Sequence, residues 1–201
     1  MLDHRCHREI FQKQGQVLVQ GFIPKDVARF LFEYLRFSTH AHLLSGQLGG
    51  GDDTQVPGSF GARYGDMVFD VLLKLCRQKM EAITGLDLYP TYTYCRLYKQ
   101  GNILHRHTDK PQSEFGVSIK LSDTGDYNWP LWVAGNGYAL EDGDAVIYRG
   151  SELEHWRDVC EGSEEYRMGQ VFLFYVHQHG HYADYRYDKR EDLEIICNRE
   201  I

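Results

Sequence analysis

Apolar and polar positions repeat with two different periods along this chain, and the change of period divides it. Val17 to Ile23 is apolar enough for a short strand. Pro24 suits the first turn of a helix, where its missing N–H would have no partner anyway. Val27, Phe30, Leu31, Tyr34 and Leu35 follow at helical spacing. Residues 45–65 are rich in Gly, Ser and Asp and predict a long loop, placed to act as a lid. A second helix is predicted from about Asp66 to Thr84, with Val68, Leu72, Leu75 and Cys76 as its apolar stripe and Gly85 as its stop.

After Gly85 the period shortens to two. In Tyr92 to Tyr98 the residues Tyr92, Tyr94, Arg96 and Tyr98 fall on one face, and Thr93, Cys95 and Leu97 on the other. Further strands are predicted at Phe115 to Leu121, Trp129 to Val133, Asp144 to Arg149 and Val171 to Val176, the last being the most apolar. Helices come first, short strands afterwards, and no βαβ repetition appears. The expected class is therefore α+β, with a double-stranded β-helix (jelly-roll, cupin-like) core. A single domain over residues 1–201 is expected, with helical support over about 1–88 and the jelly-roll core over about 89–180. The tail, Asp184 to Ile201, is charged and receives no assignment.

Composition narrows the function. Hydrophobic residues make up 42% of the chain, enough for a packed core rather than disorder. A net charge of −7 argues against a dedicated nucleic-acid grip. No apolar run reaches membrane-spanning length, and no apolar segment follows Met1 to Arg5. A cytoplasmic protein without a membrane partner is expected. Five cysteines, an odd number with no CxxC pair, argue against a disulfide framework or a zinc knuckle.

The candidate chemistry lies in His107, Asp109 and the later His155. Two imidazoles and one carboxylate form the facial triad that holds iron(II) while leaving the opposite coordination face open. His107 and Asp109 are two apart, so in an extended segment both leave the same face. Alone, such a pair is a weak signal, and a surface imidazole–carboxylate pair or a histidine packed on Trp156 remain the structural alternatives.

The surrounding sequence resembles the 2-oxoglutarate- and iron(II)-dependent dioxygenases, and within them the prolyl-4-hydroxylase-like branch. The likeness runs from about Thr91 to His177. It is carried by Tyr94 to Gly101 leading into Ile103 to Asp109, by Gly143 to Arg157 around His155, and by the strand Gln170 to Tyr175. The resemblance implies iron(II) on His107, Asp109 and His155, with 2-oxoglutarate and O2 as co-substrates. It implies a basic residue about ten positions after the distal histidine to hold the far carboxylate of 2-oxoglutarate. Arg167 is the nearest match and Arg157 its rival. Tyr98 corresponds to a strand tyrosine that hydrogen-bonds the co-substrate. The chain departs from the branch at Tyr127 to Trp132, where prolyl hydroxylases carry a Gly-Gly-x-Thr stretch. Trp129 and Trp132 are placed either at the substrate mouth or in the core.

Hydroxylation of a prolyl or other amino-acid residue in a peptide or protein is the leading expectation. The alternatives are an oxygenase of a free amino acid or small metabolite, and a non-enzymatic cupin-like metal-binding module. Halogenation is disfavoured because Asp109 fills the position that chloride would need. His105 is either a solvated loop residue or a supporting group, and His177, His179 and His181 are expected at an edge or in a loop.

Overall fold

The computed structural model describes residues 4–45, 53, 55–125 and 127–198; residues 46–52 and 54 of the expected loop lie outside these. Helix α1 (His4–Gln14) precedes strand β1 (Gln16–Val19), helix α2 (Lys25–Leu44), strand β2 (Phe60–Tyr64) and helix α3 (Met67–Thr84). Eight strands follow: β3 (Leu88–Lys99), β4 (Leu104–His107), β5 (Phe115–Asp123), β6 (Leu131–Val133), β7 (Asn136–Tyr138), β8 (Ala145–Arg149), β9 (His155–Arg157) and β10 (Arg167–His177). A 3₁₀ segment (Ala183–Lys189) and helix α4 (Glu191–Asn198) end the described chain. Helix α1 has no counterpart in the expected pattern, and α4 gives structure to the unassigned tail.

The strands form two antiparallel sheets, ordered β1-β8-β5-β10-β3-β2 and β4-β9-β6-β7. This is the expected α+β double-stranded β-helix. Both outer strands of the larger sheet, β1 and β2, come from the first 88 residues.

Side-chain alternation explains how the larger sheet serves two cores. Leu97, Val117, Ile119, Leu121, Ile147, Val171 and Leu173 face the helices and join Leu31, Phe32, Leu35, Phe69, Leu73 and Met80. Tyr98, Val146, Tyr148, Met168, Phe172 and Phe174 face the smaller sheet and meet Leu104, Leu131 and Val133. Close approach requires small residues where the layers touch. A Cβ on Gly169 would lie 2.5 Å from Phe32, and one on Gly143, already at φ +85°, would lie 2.3 Å from the Ile23 carbonyl oxygen.

The helices sit slightly rotated from the expected stripes. In α2 the buried residues are Ala28, Leu31, Phe32, Leu35 and Thr39, whereas Phe30 is 68% exposed. In α3 they include Phe69, Leu72, Leu73, Cys76 and Met80, and Leu75 is 68% exposed. With apolar residues on more than one face, docking against the sheet decides which stripe is buried. The ends of α3 follow local chemistry: the Asp66 carboxylate accepts from the Val68 N–H, and Gly85 closes the helix at φ +77°. None of the five cysteines forms a disulfide among the described residues. No helix among the described residues is long and apolar enough to cross a membrane.

Candidate metal centre and its cavity

His107 ends β4 and His155 begins β9, and antiparallel pairing sets the two residues directly opposite each other. Their rings are 4.2 Å apart between centroids. Asp109 follows β4 and is tied to the neighbouring turn by its N–H, which donates to the Gly150 carbonyl at 2.8 Å. Its Oδ1 lies 3.7 Å from His107 Nε2 and 3.6 Å from His155 Nε2. Among the described residues this trio is the one group of three or more potential ligands whose donor atoms all lie within 4.8 Å of one another.

Each imidazole has a fixed orientation. His107 Nδ1 sits 2.7 Å from the His105 carbonyl oxygen, and His155 Nδ1 sits 3.0 Å from that of Leu153. A carbonyl only accepts, so both Nδ1 atoms carry the proton and both Nε2 lone pairs point at Asp109. His105 thus supports the site through its backbone while its own side chain is exposed. Burial, then the proximity of His155, lowers the His107 pKa, which favours the neutral ligating form. The buried Asp109 Oδ2 has no hydrogen-bond partner among the described residues. Two aimed lone pairs beside an unspent carboxylate oxygen fit a divalent cation with mixed N and O preference, as iron(II) has.

Gly150 makes this packing possible. A Cβ there would lie 2.5 Å from the Ser113 carbonyl oxygen and 2.6 Å from Asp109 Oδ2. Gly150→Ala is therefore expected to lower iron(II) affinity about 10- to 100-fold, the usual range for disturbing a group that orients a ligand. Metal titration of the folded variant measures it; wild-type affinity would show that Gly150 plays no such part.

The trio opens into a cavity of about 500 Å³, also lined by Tyr64, Tyr92, Tyr94, Arg96, Leu104, Tyr148, Phe172, Phe174 and Asp188. This is the usual size of a small-molecule site. Tyr148 packs on His155 with centroids 4.7 Å apart, and burial, followed by the Asp109 carboxylate, pushes its pKa well above the ordinary value. Its hydroxyl therefore stays a neutral donor.

Two buried guanidiniums approach the interior. Arg96, on β3, is bidentate to the Asp53 carboxylate at 2.6 and 3.0 Å and reaches Gln55 at 2.7 Å. Burial alone would raise the Asp53 carboxyl, but Arg96 outweighs it and holds the pKa below the ordinary value. Arg157, 1% exposed, donates to the Trp129 carbonyl and to Gln170 Oε1. Its guanidinium lies 5.9 Å from the Tyr98 ring. The Tyr98 hydroxyl is buried and has no hydrogen-bond partner among the described residues.

The other expected site residues lie elsewhere. Arg167 shares the parity of Val171 and Leu173, faces away from the interior, and donates to the Glu164 and Tyr166 carbonyls. Strand alternation, which spacing from His155 does not reveal, keeps it from the trio. Trp129 is core: it packs edge-on against Tyr98 at 5.1 Å and donates to the Asp158 carbonyl. Trp132 stacks on Trp156 at 5.9 Å and lines a separate surface pocket with Arg106. Neither tryptophan lines the cavity. Arg96 is a cavity-lining residue that motif spacing did not mark, although its inward face was legible in the alternation of Tyr92, Tyr94 and Tyr98.

No protein-family model matches the chain, and no curated protein matches its sequence. Solved structures do. A prolyl-4-hydroxylase of Pseudomonas putida superposes with TM-score 0.63 at 18% identity, covering 85% of this chain and 97% of that one. SnoK, a non-haem α-ketoglutarate-dependent carbocyclase from nogalamycin biosynthesis, gives 0.63 at 12%, covering 90% of each. An oxidoreductase of the 2OG-Fe(II) oxygenase family from Burkholderia pseudomallei gives 0.57 at 14%, covering 86% and 90%. This chain has the fold those oxygenases share. The similar structures span several branches, and the prolyl-hydroxylase branch does not stand out among them.

Proposed function

We propose that this protein is an iron(II)- and 2-oxoglutarate-dependent oxygenase acting on a free small molecule of amino-acid or metabolite size. The carrying observation is the convergence of His107, Asp109 and His155, with both Nε2 lone pairs aimed inward, at the wall of a 500 Å³ cavity. Held by these three residues, iron(II) with 2-oxoglutarate supplies O2-dependent oxidation of a C–H bond. The chain's own residues do the rest. The backbone carbonyls of His105 and Leu153 fix the imidazole tautomers, and Tyr148 offers a neutral hydroxyl. Leu104, Phe172 and Phe174 give the cavity apolar walls that exclude water.

The far carboxylate of 2-oxoglutarate is assigned to Arg96, which lines the cavity, with the buried Arg157 and Tyr98, neither of which lines it, as supporting groups. A buried hydroxyl without a partner is uncommon, and it points to a missing acceptor. Both cations carry a planar fork suited to a carboxylate. The bidentate grip of Arg96 on Asp53 illustrates that fit. Each of Arg96→Gln and Arg157→Gln is expected to raise the KM for 2-oxoglutarate tenfold or more, by roughly the 1.5–3 kcal/mol of a charged hydrogen bond. Arg167→Ala should leave that KM where it is. Succinate release by the iron-loaded protein under O2 provides the measurement; a KM that responds to Arg167 alone would reverse the assignment.

A prolyl peptide is the second reading, favoured by the similarity to prolyl hydroxylases. The cavity supports the small-molecule reading better, because Asp53 and Gln55 on one segment and Asp188 on another contribute to its walls. Turnover of a proline-containing peptide but of no free amino acid or metabolite would favour the peptide.

A further inference from the structure

The cavity rim carries a carboxylate held by a tyrosine rather than by a cation among the described residues. Asp188 lines the cavity and accepts a hydrogen bond from the Tyr64 hydroxyl. Among the described residues it enters no ion pair. The other cavity carboxylates are engaged: Asp53 by Arg96, and Asp109 with the two histidines. Arg190, two residues along the chain, is committed to Asp70 at 2.7 Å and Asp192 at 2.6 Å while its guanidinium lies 5.9 Å from the Tyr64 ring. Arg186, two residues back, and Lys110 in the cavity lining form no ion pair with Asp188 among the described residues.

Asp188 is firmly presented. Tyr187, Asp188 and Lys189 have φ of 55°, 48° and 59°, a left-handed run unfavourable for residues with side chains. Anchors on both sides hold it. Tyr187 is 4% exposed, packs on Tyr89 at 5.8 Å and donates to Asn198, while Arg190 grips the fully buried Asp70.

An aromatic wall runs inward from this rim. Tyr64 stacks on Tyr92 at 5.3 Å, Tyr92 packs at a tilt on Phe174 at 4.7 Å, and Phe174 stacks on Phe172 at 6.4 Å. Tyr92 lies between the two ends: burial first, and then the carboxylates of Asp109 and Asp188, push its phenol up to about 12. A free carboxylate carries acceptor capacity beyond the one bond from Tyr64. The half-exposed Tyr64 ring, which already has the Arg190 guanidinium 5.9 Å from its centroid, attracts positive charge through its quadrupole.

We propose, resting on the small-molecule oxygenase reading above, that the substrate carries a protonated amine. Asp188 binds this amine against the Tyr64–Tyr92 wall, so that an uncharged C–H portion extends along Phe174 and Phe172 toward His107, Asp109 and His155. Asp188 is then the residue that sets specificity, and neutral analogues are rejected because they leave its carboxylate unmatched.

The test uses the full chain loaded with manganese(II) and 2-oxoglutarate. Binding is measured by ligand-observed NMR for L-lysine, L-proline, agmatine and piperidine, each beside its N-acetylated counterpart. At least one amine is expected to bind tenfold or more tightly than its acetylated form, and Asp188→Asn should abolish that preference. The variant keeps the size of the side chain and an acceptor for Tyr64, and its thermal melt verifies folding. Amines binding no better than their acetylated forms, or an equal preference in Asp188→Asn, overturns the proposal. Iron binding and substrate-free 2-oxoglutarate consumption by the wild-type protein are read separately. Their absence sinks the oxygenase reading, and their presence without amine preference sinks only the cation site.

Discussion

Asp109→Ala is expected to abolish iron(II) binding and 2-oxoglutarate turnover together. Asp109 supplies the one carboxylate of the trio, and its Oδ1 lies within 3.7 Å of both Nε2 atoms. Without it, two neutral imidazoles face the cation with no negative charge to offset its own. Disturbing a group that merely orients a ligand reduces affinity 10- to 100-fold, so removing the ligand itself should exceed about 100-fold. The backbone N–H of residue 109 still reaches the Gly150 carbonyl, so the turn should persist. Iron content after desalting and succinate release give the two readouts. Full turnover with unchanged iron would remove the trio from the chemistry. Tight iron binding by the wild-type protein without any 2-oxoglutarate consumption would instead favour a non-enzymatic cupin-like module.

The largest expected effect on stability comes from Asp70→Ala. Asp70 lies in α3 with no exposed surface, accepts from the Thr93 hydroxyl at 2.7 Å, and pairs with Arg190. Alanine leaves a buried hydroxyl without its acceptor and a guanidinium with only the exposed Asp192. One orphaned buried group destabilises by about 1–3 kcal/mol, and breaking a buried ion pair by about 3–5. The Arg190 side chain is 20% exposed and water relieves part of this, so a loss of roughly 2–4 kcal/mol is expected. For a chain of 201 residues this lowers the Tm by on the order of 10 °C. Asp70→Asn, which keeps an acceptor for Thr93, should fall between. An unchanged melting curve for Asp70→Ala would mean that the 3₁₀ segment is not anchored through this pair.

Some of this architecture is written in short stretches of sequence. The alternation in Tyr92 to Tyr98 reports a strand with two unlike environments because successive side chains leave opposite faces. Asp66 and Gly85 mark the ends of α3 because capping depends on neighbours two to four residues away. The spacing of His107 and Asp109 is local in the same sense. Which of two apolar stripes a helix buries is not local. Phe30 and Leu75 fit the period as well as their neighbours, and only docking against the sheet leaves them in water.

The sequence by itself therefore determined the class of fold and its strand-rich second half, which follow from periodicity, and the His107–Asp109 pair, which follows from spacing within one segment; His155 was marked by the resemblance of the block around it. The tertiary structure decided what those elements meet. Pairing of β4 with β9 sets His155 opposite His107 across 48 residues of chain. Strand parity turns Arg167 outward and Arg96 and Arg157 inward, and the anchored C-terminal segment brings Asp188 to a cavity begun far upstream. Such contacts arise from sheet register and layer packing, which join residues distant in sequence and leave no periodic trace in it.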